Sequence, residues 1–302
     1  MARKDHIDAF GAASLIGFSA LLGFNQVVIK ITNVGIQPVF FAGVRSAGAV
    51  VCIWLFLRLM GKRLDLRRET IPAGLLIGAV FSVEFIGLFL ALDLTTVTRT
   101  SVIFYTMPVW LAIAAHFLLP GERITPIKGV GLGLAFLGVA WAILDRGNGG
   151  GQASLLGDLC ALMAAFGWAG IALCARATKL NQVAPETQLF WQVAVSAPVL
   201  LLLAPLFGPL LRDLQPIHLW GLGFQIVVIV SAGFMFWLWL LSIYPAAGVA
   251  SFSFLSPIFG VGFGWLMLDE HIGPSIIGPL VLVAVGILLI NRKGRPQVPQ
   301  KV

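Results

Sequence analysis

Ten apolar stretches, each long enough to cross a bilayer as a helix, fill almost the whole chain: 9–31, 38–60, 71–92, 96–119, 126–145, 154–177, 186–208, 217–242, 246–268 and 273–291. A spanning helix needs about 20 apolar residues, whereas a spanning strand needs about half that and alternates in polarity. The expected fold is therefore an all-α integral membrane protein of ten transmembrane helices. The connections are short and carry turn residues, such as Pro120-Gly121, Gly208-Pro209 and Gly273-Pro274, which leaves no room for a soluble domain. Charged residues make up 11% of the 302, against about 25% in an average soluble chain. That scarcity excludes a soluble enzyme, a nucleic-acid module and a disordered chain.

Ten crossings put both ends on one side. With the N-terminus in the cytoplasm, fifteen Lys and Arg residues fall on the cytoplasmic side and four, Lys30, Arg99, Arg146 and Arg212, on the other; Arg45 lies within a span. This imbalance predicts an N-in, C-in orientation. It also accounts for the net charge of +7 without any nucleic-acid partner. The first apolar stretch is too long for a signal-peptide core and lacks a clean cleavage site, so it reads as a retained helix. Cys52, Cys160 and Cys174 all lie in apolar stretches with no C-x-x-C, and no G-x-x-x-x-G-K-[ST] occurs. Neither a disulfide framework nor a metal site nor any other cofactor is expected. The expected partners are the lipid bilayer and a small-molecule substrate, with a monomer as the working unit.

The chain repeats itself. Ala91 to Pro108 in the fourth stretch is a run of small and polar residues ending in a mid-span proline, and Tyr244 to Pro257 in the ninth is another. Glu122 follows Pro108 by 14 residues and Glu270 follows Pro257 by 13; Gly138 and Gly286 each come 16 residues after their glutamate. Pro38 with Arg45 and Pro185 with Gln192 share a spacing of seven, and stretches one and six end in Lys30 and Arg176. This divides the chain into residues 1–150 and 151–302, each a five-helix unit. Five is odd, so the second unit enters the membrane from the opposite side, and the two are expected to be inverted repeats that rock about a central site.

The duplicated pattern of small residues, mid-helix proline, glutamate and downstream glycine resembles the drug/metabolite transporter superfamily, and within it the EamA-type group. The resemblance covers roughly residues 9–291. It implies a ten-helix carrier that exports amino acids or other small metabolites. Many members carry Trp-Gly in the first helix, where this chain has Leu22-Gly23; the sixth helix carries Gly167-Trp168-Ala169.

Glu84 is the only acidic residue deep inside a span, and Arg45 lies at nearly the same depth. A carboxylate there must pair, meet water or take a proton. Arg45 is the expected buried charge partner. In the matched positions of the second half stand Gly233 and Gln192, so the charges belong to one half only. Asn25, Gln26, Ser101 and Tyr105 lie near that level in the first half, and Trp168, Ser251 and Ser253 near it in the second. Together with Glu84 they are the candidate substrate contacts, because a small zwitterion needs a few hydrogen-bonding groups on apolar and aromatic walls. Each read alone is as well explained by helix–helix bonding or packing. Pro108 and Pro257 remove the hydrogen bonds to the carbonyls of Phe104 and Ser253 and are candidate hinges, or else static kinks. Glu122 and Glu270 sit at helix ends, where a carboxylate favours a helix N-terminus, and Thr125-Pro126 reads as an N-cap and first helical residue. The glycine pairs Gly74/Gly78, Gly129/Gly133 and Gly260/Gly264 are read as close helix contacts.

Two classes of function fit this architecture. The first is a secondary transporter of the inner membrane, moving neutral or zwitterionic metabolites by alternating access; a carrier of phosphorylated sugars or drugs would share the fold, but the spans hold no basic cluster for phosphates. The second is a membrane-embedded enzyme such as a lipid or prenyl transferase. It would need a metal site, H-E-x-x-H or a Ser/His arrangement within the bilayer. His6, His116, His218 and His271 are scattered, and Glu84 and Asp158 are the remaining acids to consider. The expected molecule is not an enzyme and has no catalytic residues.

Overall fold

The computed structural model describes residues 7–62, 64–119, 122–145, 154–244, 249, 252 and 254–291. All its named elements are helical: α1 Ala9–Gly35, α2 Pro38–Leu59, α3 Ile71–Leu94, α4 Val97–Phe104, α5 Met107–Leu118, α6 Pro126–Leu144, α7 Leu155–Ala177, α8 Pro185–Leu203, α9 Pro216–Phe224, α10 Phe234–Ile243, α11 Leu255–Leu268 and α12 Pro274–Asn291. A π-helical segment, Gln225–Gly233, joins α9 to α10. Among the described residues nine helical stretches are long and apolar enough to span a membrane, and α11 is a shorter apolar helix. The boundaries lie within a few residues of those read from hydropathy, except in the ninth stretch, expected over 246–268, where the described helix covers Leu255–Leu268.

The helices begin where the chain supplies a start signal. Proline opens α2, α6, α8, α9 and α12, where its missing N–H is not needed. Thr125 caps α6 as its sequence suggests, accepting the N–H of Lys128 at 3.4 Å, and Asp8 caps α1 by accepting that of Gly11 at 2.8 Å. Pro198 and Pro279 lie inside α8 and α12, which stay continuous. Large apolar side chains face outward around the bundle, among them Leu59, Leu144, Leu202 and Trp220, as lipid contact demands.

Small residues set how closely the helices pack. A Cβ on Gly87 would stand 2.7 Å from the Cys160 carbonyl and one on Gly167 2.8 Å from the Glu84 Cβ, so α3 and α7 meet backbone to backbone. Gly74 and Gly78 admit Trp191 and Val195 of α8, and Gly23 of α1 lies against the backbone of Gly260 in α11. The expected pair Gly129/Gly133 does not pack this way. Gly133 faces open space and Gly129 meets only Ile124, while Gly131 and Gly138 carry the contact of α6 with α12. Gly131 follows Gly129 by two residues, about 200° around the helix axis, so the two glycine sets point to opposite faces, and the glycine count alone does not tell which face is covered.

Gly286 gives the sharpest test of this packing, because a Cβ there would come 2.6 Å from the Gly131 carbonyl and 3.0 Å from the Ala135 nitrogen. Gly286→Val is expected to destabilise the protein by about 2 kcal/mol or more through overpacking, seen as a lower melting temperature in detergent. Gly133→Val, on the same helix pair but facing outward, should leave the melt unchanged.

Candidate functional site

The elements share two ends. At the proximal end, where α1 begins, lie the α2–α3 and α7–α8 connections; at the distal end, where α1 finishes, lie the α3–α4, α6–α7 and α11–α12 connections. Four to ten residues in from the distal helix ends, about 6–15 Å at 1.5 Å per residue, polar side chains of five helices collect. The Gln26 Oε1 of α1 accepts the Ser101 hydroxyl of α4 at 2.7 Å. Ser101 is seated against α11, where a Cβ on Gly260 would lie 2.0 Å from its Oγ. The Gln225 amide at the start of the π segment donates to Asn25 Oδ1 of α1. The first and second halves of the chain therefore meet at this level, through the Asn25–Gln225 amide pair and the seat of Ser101 against Gly260.

Much of this cluster is unsatisfied. Among the described residues Asn33 Oδ1, Arg45 Nε, Glu84 Oε2, Thr100 Oγ1 and Gln225 Oε1 are buried with no hydrogen-bond partner, as is Trp191 Nε1 away from this cluster, and Gln26 Nε2 has none within 3.5 Å though its side chain interacts with that of Tyr105. Native structures keep such atoms few, because each costs about 1–3 kcal/mol. Those on Gln26, Arg45, Glu84 and Gln225 share this depth, with Asn33 and Thr100 nearer the distal helix ends, and they call for polar atoms from elsewhere, whether water or a solute.

Arg45 and Glu84 lie within this layer, 7% and 3% exposed. They do not form the contact ion pair expected from their matching depth: no Arg45 nitrogen comes within 4.0 Å of a Glu84 carboxylate oxygen. The Arg45 guanidinium instead lies over the Phe85 ring, 4.5 Å from its centroid, and 5.8 Å from that of Phe89. The aromatic faces take the place of an anion. Glu84 is set against α7 beside Gly167, near enough to Arg45 to feel its charge. A row of rings, Phe81, Phe85 and Phe89, runs along the same helix with successive centroids 4.0 and 5.4 Å apart.

Pro108 and Pro257 do more than bend continuous helices. The fourth span breaks into α4 and α5 at Tyr105 and Thr106, where i→i+3 bonds such as Thr106 N–H to the Ile103 carbonyl (3.2 Å) replace the α pattern. Pro108 then stands in the first turn of the new helix α5. Pro257 likewise stands in the first turn of α11, preceded by a Leu255 N–H to Phe252 carbonyl bond of 3.0 Å. Proline inside α8 or α12 causes no such break. Tyr105 is buried at the first break, its ring 5.2 Å from that of Phe104. Trp168 of α7 is partly buried against the same core. Ser251 and Ser253 lie outside the described residues.

Charged contacts close the distal end. Arg99 and Asp158 form a bidentate pair, Nε to Oδ1 at 3.0 Å and Nη2 to Oδ2 at 2.6 Å, with side chains 3% and 0% exposed. Arg99 also donates to the Ala142 carbonyl and, at 3.3 Å, to that of Asp145. Lys30 donates to the carbonyls of Leu92 (3.1 Å) and Thr95 (2.7 Å) at the end of α3. Arg212 pairs with Asp93 at 2.7 and 3.0 Å, and that bond holds its guanidinium above the ordinary arginine range. Glu270 accepts the N–H groups of Val97 (2.6 Å) and Thr98 (2.7 Å), capping α4 from the far end of the chain. Glu122, expected at a helix start like Glu270, instead bonds Arg176 on the exposed proximal surface. Lys179–Glu69 and Arg67–Asp65 are likewise solvent-facing proximal pairs, while Lys62 reaches a Glu186 that is 12% exposed.

Of the sequence candidates, Gln26 with Ser101 and Asn25 with its new partner Gln225 come together directly, and Glu84 with Trp168 sit on facing helices. Gln225, Thr100 and Asn33 were not anticipated. Gln225 had a readable signal, since it is the only amide in the eighth apolar stretch; the same rule that picks out Glu84 applies to it.

The sequence model of the EamA-like transporter family matches the chain twice, over residues 9–144 and 155–292. An uncharacterized transporter, YoaV of Bacillus subtilis (strain 168), is 25% identical over 277 residues, covering 91% of this chain and 94% of the relative. A probable amino-acid metabolite efflux pump of Escherichia coli (strain K12) is 25% identical over 305 residues, covering 96% and 95%. A solved crystal structure shares the fold with a TM-score of 0.66 at 17% identity, over 92% of this chain and 97% of that one. With two family matches that between them cover nearly every apolar helix, the chain belongs to the EamA-like transporter family of the drug/metabolite transporter superfamily and is a multi-pass membrane transporter, in bacteria of the inner membrane.

Proposed function

We propose that the protein exports amino acids or similar small neutral or zwitterionic metabolites by alternating access, using two inverted five-helix units with both termini in the cytoplasm. The observation that carries this reading is the layer of unpartnered polar atoms around Gln26, Glu84 and Gln225, set within the membrane where helices of both units meet. The paired family matches support the two-unit reading. So does the packing: α3 lies on α7 and α8, while their matched counterparts α9 and the π segment lie on α1 and α2. The helix breaks before Pro108 and Pro257 fall at matched places in the two units and serve as hinges. Glu84 and Arg45 offer opposite charges that are not spent on each other, which suits a substrate with an ammonium and a carboxylate. Lys30, Arg99 and Arg212 are held by carbonyls and carboxylates at the distal end, so they offer no site for a phosphate. A named amino-acid efflux relative points to the same substrate class.

Counterflow in proteoliposomes tests this. Purified protein loaded with one unlabelled amino acid at millimolar level should accumulate its labelled form transiently, and a panel of amino acids run with and without a pH gradient should rank substrates and reveal proton coupling. No counterflow by any amino acid, with uptake of a sugar phosphate instead, would overturn the substrate assignment.

A further inference from the structure

The proximal end of α2 is less covered than the rest of that helix. Further in, a Cβ on Gly48 would stand 2.5 Å from Ile226, so the π segment lies against α2 there. Beyond that point Val51, Trp54, Leu55 and Arg58 are all exposed. Their spacing of i, i+3, i+4 and i+7 places the four on one stripe. Along it the side chains change from aliphatic to aromatic to cationic. A bilayer changes in the same order, from acyl chains through the interface to the headgroups.

The end of α2 folds a notch at that level. Gly61 has φ 66°, in the left-handed region that favours glycine. The Lys62 N–H thereby returns to the Leu57 carbonyl at 2.9 Å and the Gly61 N–H to the Arg58 carbonyl at 3.2 Å, the two bonds of a Schellman turn. That turn brings Lys62 back beside the last helical turn. Trp54, Leu57, Arg58, Gly61, Lys62 and Leu64 line a notch of about 610 Å³, within the size range of small-ligand sites. The Arg58 guanidinium lies over the Trp54 ring, 5.2 Å from its centroid, which leaves its N–H edge available. Among the described residues no carboxylate comes within 4.0 Å of Arg58. Lys62 spends one donor on Glu186 at 2.5 Å and keeps two. Among the described residues the lining itself contains no acid.

We propose that this notch holds an anionic phospholipid of the surrounding membrane. The lipid phosphate sits between Arg58 and Lys62, the glycerol lies along the Trp54 indole, and an acyl chain follows Val51 and Leu55 toward the bilayer centre. A guanidinium stacked on an aromatic ring is well suited to a phosphate, which it meets with two parallel N–H groups. A zwitterionic headgroup fits less well, because its ammonium would meet two cations and no free acid. Basic pockets beside membrane helices favour anionic headgroups for the same reason. Only the crossing of the membrane by α2 is needed for this, whatever the protein carries.

Native mass spectrometry of the full chain in neutral detergent, titrated with phosphatidylglycerol or phosphatidylcholine, tests the site. The wild type should retain one phosphatidylglycerol roughly tenfold more tightly than phosphatidylcholine, the weight of one to two cations near a headgroup. Arg58→Gln should remove most of that preference, a loss of roughly tenfold in phosphatidylglycerol affinity for one charge-assisted hydrogen bond. Arg58 is exposed and bonds no carboxylate, so the variant should fold as the parent does. Arg123→Gln removes the same charge from an exposed side chain at the same end but outside the notch, and should leave the preference unchanged. Equal losses from the two substitutions would mean diffuse surface charge and overturn the site, as would a wild type with no preference. Millimolar inorganic phosphate should not displace the lipid. Displacement by phosphate alone would overturn the lipid assignment in favour of a soluble anion.

Discussion

Arg99→Met is expected to destabilise the protein by about 3–5 kcal/mol, because it leaves Asp158 charged and buried with its main partner gone. The pair is held at 2.6 and 3.0 Å with almost no exposure, and Arg99 also satisfies carbonyls at the end of α6. Three helices therefore lose a common anchor at once. Unfolding by denaturing detergent, followed by circular dichroism, would measure the loss. The double substitution Arg99→Met with Asp158→Leu should recover most of it, since an apolar pair removes the stranded charge as well. By contrast Lys179→Ala, which breaks the exposed pair with Glu69, should change stability by less than about 1 kcal/mol. Equal effects from Arg99→Met and Lys179→Ala would show that burial is not what gives the Arg99 pair its weight.

Glu84→Gln should fold as the parent does and yet change what the protein carries. With no contact ion pair to lose and one carboxylate oxygen already unpartnered, the neutral amide removes little that holds the fold together. A substrate ammonium that met the carboxylate would lose a hydrogen bond to a charged group, worth about 1.5–3 kcal/mol, or roughly 10- to 150-fold in affinity. Counterflow of cationic or zwitterionic solutes should fall by that factor, with neutral solutes nearly unaffected. If the residue carries a coupled proton, exchange should persist while the response to a pH gradient disappears. Severe destabilisation rescued by Arg45→Gln would instead mean that the two charges hold each other across their separation. A wild-type substrate and pH profile would remove Glu84 from the site.

Much of this was readable from the chain. Hydropathy alone placed the spans, because a helix in lipid must be apolar along its whole length and the boundary with water is sharp. Glu84, Arg45 and Gln26 stood out because polar groups are rare at that depth. What hydropathy does not encode is which helix faces which. Arg99 and Asp158 lie 59 residues apart near the ends of two apolar stretches, and nothing in the sequence pairs them; only the packing of α4 against α7 makes them one buried unit. Glu122 and Glu270 looked equivalent by spacing, yet one is exposed on Arg176 and the other is buried on α4. Spacing along the chain does not say which helix end a loop carboxylate can reach. From sequence Pro108 and Pro257 are candidate hinges or static kinks and no more, because a proline removes one bond wherever it sits and its effect depends on whether the preceding residues find other partners.

The π segment Gln225–Gly233 has a consequence for comparing this protein with its relatives. A π turn is an α turn that has taken in an extra residue, and each residue added to a helix rotates everything after it by about 100°. Residues 234–243 therefore show the bundle a face set by that insertion. At about 25% identity an alignment slides by one position across such a stretch without penalty. A contact inferred for the second half of this span from a relative that lacks the bulge would land on a residue pointing into lipid, so positions should be matched there by superposing backbones and not by counting along the chain.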